Sequence, residues 1–202
     1  MTIKEQTRVE FGYHRTECSC GDCVINCRFI PGYLVPSDIE RISSHLGYTN
    51  LVRFALENLL ASPGATVMSS CDGRIFQIPT LVPQRAANDS CKFLQQGACA
   101  IHAVSPYGCA MFDAHQPDAE ANRRSARGLQ EIAREWAMGA RSIYVCLWRM
   151  LDRANLRAVP PEIARRRLEE SLKSTAAKRG EEKDDYANRC ERQSYQLRPD
   201  AR

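Results

Sequence analysis

The stretch Cys18-Ser19-Cys20-Gly21-Asp22-Cys23-Val24-Ile25-Asn26-Cys27 holds four cysteines in ten residues, spaced C-x-C-x2-C-x3-C. Disulfide pairing within it is disfavoured, because bridging needs Cα atoms roughly 4.4–6.8 Å apart with the two side chains facing each other. One metal ion makes a smaller demand: a loop that converges its sulfurs at about 2.3 Å from the ion. Gly21, free to take a positive φ, fits a turn folded back over such an ion. The stretch therefore predicts a metal-binding loop.

Working outward, a second cysteine group follows at Cys91, Cys99 and Cys109, with seven and then nine residues in the gaps. Each gap contains Gly or Pro, so loops are expected to carry these ligands as well. The two groups are expected to meet in space and share a site or sites.

These residues resemble the YkgJ-type cysteine-cluster family, the zinc- or iron-chelating domain. The resemblance rests on Cys20-Gly21-Asp22-Cys23 with Cys27 and Pro31-Gly32, and on Ser37-Asp38-Ile39-Glu40-Arg41-Ile42. It continues with Cys91-Lys92-Phe93-Leu94, Cys99-Ala100-Ile101-His102 and Pro106-Tyr107-Gly108-Cys109, in that order, over roughly residues 18–115. Many members carry two adjacent cysteines after the Gly, whereas here Val24 follows Cys23 and the next thiol is Cys27. The resemblance implies thiolate-held zinc or iron and names no reaction. Flagellin lysine methylases carry a cysteine-rich region that looks related, which brings an iron- or iron–sulfur-dependent redox or protein-modifying enzyme into view as the alternative.

The 202 residues, 44% hydrophobic and 26% charged, suit a globular chain, and ten cysteines exceed incidental use. The polar start predicts no secretory segment, and no apolar run approaches the roughly 18 residues of a membrane span. A cytoplasmic, reducing location is expected, where clustered cysteines read as metal ligands before disulfides. The net charge of +4 is uneven: most of the basic excess lies in residues 119–179. Glu131, Glu135, Glu162, Glu169 and Glu170 interleave with those arginines, so a solvated helical face is expected there. Without a binding module the pattern argues against nucleic acid and leaves an acidic protein partner as the interaction hypothesis.

The expected architecture is α+β and α-rich: a small loop-rich metal-binding core at 12–118, C-terminal amphipathic helices at 119–179, and a disordered charged tail at 180–202. Ser37-x-x-Glu40 predicts a capping box opening a short helix, and a second helix is expected over about residues 50–60. Asp72-Gly73 predicts a hairpin between residues 65–70 and 74–78, and a short strand is expected at 99–102. Leu129, Ile132, Trp136, Ala140, Ile143, Leu147 and Met150 fall within about 80° on a helical wheel, one buried face. Arg123, Arg127, Arg134 and Arg141 cluster within about 40°, nearly opposite. Gly128 and Gly139 mark candidate breaks, and Pro160-Pro161 predicts a further helix to about residue 178.

The candidate ligands are Cys18, Cys20, Cys23, Cys27, Cys91, Cys99 and Cys109. Cys71 would complete eight thiolates, enough for two tetrahedral sites or for one cluster with spare ligands. His102 is weighed between a ligand and a hydrogen-bonded histidine at the edge of the core. Asp113 and His115 are candidate N or O ligands, and Asp22 is expected to cap backbone N–H groups. Cys146 is expected in the core and Cys190 as an unliganded tail thiol; His14 and His45 have no assigned role.

Overall fold

The cysteine-rich stretch is helical where a loop was expected. Helix α1 runs Gly21–Phe29 with Cys20 as its N-cap, and Val24 N donates to Cys20 O at 3.0 Å. Gly21 is the first helical residue and takes no positive φ. Cysteines spaced three and four apart share one helical face, so a helix converges them as well as a loop does.

These features come from a computed structural model that describes residues 20–68, 72–112, 115–160 and 162–174. Expectations for the lead-in, His14, Cys18, Cys71, Asp113, Cys190 and the charged tail lie outside the described residues. The chain divides into two compact units, Met1–Arg165 and Arg166–Arg202. In the second, residues 166–174 are helical.

The first unit is α+β and rich in helix. Helix α2 spans Pro36–His45 and α3 spans Leu51–Asn58. Strands β1 (Leu59–Met68) and β2 (Ile75–Pro83) form an antiparallel hairpin, with Leu59 opposite Pro83 and Met68 opposite Ile75. It is longer than expected: Leu59 and Leu60 leave α3 for the strand. Strands β3 (Leu94–Gln95) and β4 (Ala98–Cys99) form a second, minimal hairpin. A 3-10 turn at His102–Val104 and helix α4 (Tyr107–Ala110) follow it. The expected strand over 99–102 is therefore mostly turn.

The long C-terminal helix is two helices. Helix α5 covers Asp118–Met138, Gly139 stops it at φ 59°, and α6 covers Ile143–Arg153 from a Ser142 cap. Gly128 lies unbroken inside α5. The break resets the register, so Ile143 is 58% exposed instead of buried. Cys146 turns outward too, donating to Ala140 O at 3.3 Å, against the expected core position. Arg123 pairs with Glu120, while Arg127 and Arg134 reach Glu131 at 3.1 and 2.8 Å. Such surface pairs contribute about 0–1 kcal/mol each, consistent with a solvated face.

Helices and hairpin share one core that includes Leu34, Phe54, Leu81, Tyr107, Ile132 and Leu151. Trp136 Nε1 donates to Pro79 O at 2.9 Å, and Trp148 Nε1 donates to Ser62 O at 2.8 Å, fastening α5 and α6 to the hairpin. Buried Tyr144 joins three segments: its hydroxyl donates to Leu34 O at 2.9 Å and accepts from Leu81 N at 2.8 Å. Tyr144→Phe strands a buried amide. It is expected to cost about 1–3 kcal/mol, read as a lowered urea midpoint with an unchanged slope.

Candidate metal centre

Cys20, the N-cap of α1, and Cys23 and Cys27 within it are spaced i, i+3 and i+7, an arc of about 60° on a helical wheel. Cys20 and Cys23 sit at the N-terminal end of α1. His115, in the chain after α4, brings Nε2 to 3.2 Å from Cys20 Sγ. The ligand atoms of Cys20, Cys23 and His115 all lie within 4.8 Å of one another, a group that can hold a metal ion. Two sulfurs and one imidazole nitrogen suit a borderline-soft divalent ion.

One turn further along α1, Cys27 faces the second cysteine group. Gln96 and Gly97 take φ 51° and 79°, the I′-type turn that folds β4 back on β3. That turn returns Cys99 towards Cys91, whose carbonyl accepts from Leu94 N at 2.9 Å. Cys109 arrives on α4 through a backbone contact only glycine permits. A Cβ on Gly32 would lie 2.1 Å from Gly108 C, and one on Gly108 would lie 2.4 Å from Tyr33 N. This close approach lets Gly32 N donate to Cys109 Sγ at 3.2 Å. Cys27, Cys91, Cys99 and Cys109, with Cys23, line one cavity of about 400 Å³. Among the described residues only the Cys20–Cys23–His115 group meets the 4.8 Å limit, so the four thiols are spread more widely.

Burial, and then the neighbouring Cys99, pushes the Cys27 thiol up from its ordinary value. Burial pushes Cys91 up to about 11, with Cys99 and Cys27 adding to it. Cys109 rises well above the usual 9.0 through burial and through Cys27, Cys91 and Cys99, against the Gly32 N–H that lowers it. The thiols thus act on one another as a group. A raised folded-state pKa gives stability that is full below the unfolded value and lost as pH rises through the folded one. The metal-free chain should accordingly lose stability from pH 9.0 towards about 11, as the unfolded cysteines ionise before Cys91 does. Urea midpoints across that window check it; a flat profile contradicts it.

Side chains outside the cysteine motifs hold the segments in place. Asp38, fully buried, accepts from Val35 N at 2.9 Å and from Tyr107 N at 2.7 Å. Arg41 pairs with Asp38 and donates to Ser105 O at 3.0 Å. Helix α2 thereby fixes the approach to Cys109. The acid that closes its first turn is Asp38, three residues after the Val35 cap, in place of the expected Ser37–Glu40 box. Arg85 donates to Arg28 O at 2.8 Å and to Phe29 O, fastening the end of α1 to the chain leading into Cys91. The i, i+3 spacing of Asp38 and Arg41 is the local signal that could have found this pair. Nothing in the sequence marked Arg85.

His102 is exposed and lines the 400 Å³ cavity at its edge. His45 is the last residue of α2. No described helix is long and apolar enough to cross a membrane. No protein-family model, curated protein or solved structure matches this chain.

Proposed function

We propose that the chain is a metal-binding protein that holds zinc or iron through thiolates of both cysteine segments, divided between two neighbouring centres. The observation that carries the reading is the convergence of Cys20, Cys23 and His115 within 4.8 Å, because it joins the first segment to the chain just beyond the second. The other centre would use Cys27, Cys91, Cys99 and Cys109. Its support is their common cavity and their mutual effect on ionisation. Four thiolates serve either a closed zinc site or a [4Fe–4S] cluster. A single zinc ion at about 2.3 Å from each sulfur needs sulfurs about 3.8 Å apart. The wider spread favours the cluster. The resemblance to the YkgJ-type family implies zinc or iron and is compatible with either kind of centre. Cys23 and Cys27 are four residues apart on α1, so about 6 Å of helix separates the centres.

Anaerobic purification followed by elemental analysis and an absorption spectrum tests the proposal. Bound zinc or iron, with sulfur-to-iron charge-transfer bands if a cluster is present, is expected. A chain that holds neither metal after reconstitution overturns it.

A further inference from the structure

A second cavity, of about 560 Å³, lies on the other side of the thiol wall. Cys23, Cys27, Pro31, Cys109 and Phe112 line both spaces, so an occupant of the second would rest against the sulfurs of the proposed centres. Its volume falls within the roughly 300–1,000 Å³ of small-molecule sites.

The hairpin supplies polar groups to a space that is otherwise largely apolar. Leu59, Ala61 and Leu81 point into the apolar core, while Ser62, Thr66, Thr80 and Val82 line the cavity. Ser62 and Thr80 are cross-strand partners, only 4% and 3% exposed. The Ser62 hydroxyl accepts from Gly64 N at 3.1 Å. The Thr80 hydroxyl has no hydrogen-bond partner among the described residues. Buried polar groups are nearly always partnered, so this hydroxyl calls for an occupant of the cavity. At the exposed rim stand Glu162 and Arg165, also without partners among the described residues. Three residues apart on helical backbone, they lie on one face about 5–6 Å apart at Cβ. That separation suits the two charged ends of one small zwitterion better than two separate ions.

The geometry points to a binding chamber for a free α-amino acid, its carboxylate on Arg165, its ammonium on Glu162, and its side chain directed past Thr80 to the thiol wall. This deepens the metal reading and rests on it for the identity of that wall. Arg165 supplies a planar fork that matches a carboxylate. Thr80 selects side chains that offer a hydrogen-bond acceptor or a second donor.

The test is calorimetric titration of the metal-loaded full chain with each of the twenty L-amino acids. The best binder is then compared with its N-acetyl and amide derivatives, each of which lacks one charge. Binding by at least one amino acid is expected, weakened about tenfold or more by either derivative, by Arg165→Gln or by Glu162→Gln. Thr80→Val, which keeps the shape and removes the hydroxyl, should weaken it similarly. All three variants should retain wild-type metal content, which also shows that they fold. A metal-bearing chain that binds none of the twenty overturns the proposal. Binding indifferent to all three variants does so too, as does a crystal of the soaked protein with only water at Thr80. A chain that binds an amino acid but no metal overturns the metal reading and leaves the chamber standing.

Discussion

Cys109→Ser should abolish metal at the four-thiol centre while Cys20, Cys23 and His115 keep theirs. His115→Ala should do the reverse. A metal held by Cys27, Cys91, Cys99 and Cys109 would also add to stability, because only the folded chain brings these ligands together. Cys109→Ser should therefore lower the urea midpoint well beyond the effect of His115→Ala, whose imidazole is exposed. Elemental analysis of the two variants beside the wild type decides the matter. If either substitution empties the protein of all metal, the thiols and His115 serve one shared site and the division between two centres is wrong.

Asp38→Ala should be the most damaging substitution away from the cysteines. It leaves Arg41 partly buried without its carboxylate and removes the acceptor for both Val35 N and Tyr107 N. Breaking a buried pair by removing one partner costs about 3–5 kcal/mol. Typical domains hold about 5–15 kcal/mol in total, so roughly a fifth or more of the stability is at stake. Metal content should fall as well, because Tyr107 leads directly to Cys109. Asp38→Asn keeps one acceptor oxygen and should cost less. Denaturant titrations of both variants read the difference, and a cost for Asp38→Ala no larger than that for Tyr144→Phe would show that the strut is not structural.

The two predictions draw on different kinds of information. Cysteine density alone pointed to metal chemistry, since thiols this crowded cannot easily pair with one another. Asp72-Gly73 pointed to the hairpin, and the apolar periodicity of residues 129–150 pointed to helices packed on one face. The hairpin and the helical state of most of residues 129–150 are short-range signals, and they held because backbone dihedrals and side-chain spacing are set within a few residues. A single buried face across 129–150 did not hold. The helical state of α1 was equally local, for Cys20, Cys23 and Cys27 have helical spacing. Glycine and the polar residues between them drew the expectation towards a loop.

Long-range packing decided the rest. Whether Cys27 joins Cys23 or the distant Cys91, Cys99 and Cys109 depends on where α4 meets Pro31-Gly32. That contact exists only because neither Gly32 nor Gly108 carries a Cβ. The link between His115 and Cys20 spans 95 positions and follows from the same docking. Cys146 and Ile143 face outward because Gly139 ends α5 and restarts the helical register, which a wheel drawn through residues 129–150 cannot represent. By itself the sequence determined which donors are present and which neighbours share a turn. The tertiary structure decided which turns meet, because that choice is made by buried contacts between segments tens of residues apart, such as Asp38 with Tyr107 and Tyr144 with Leu34 and Leu81.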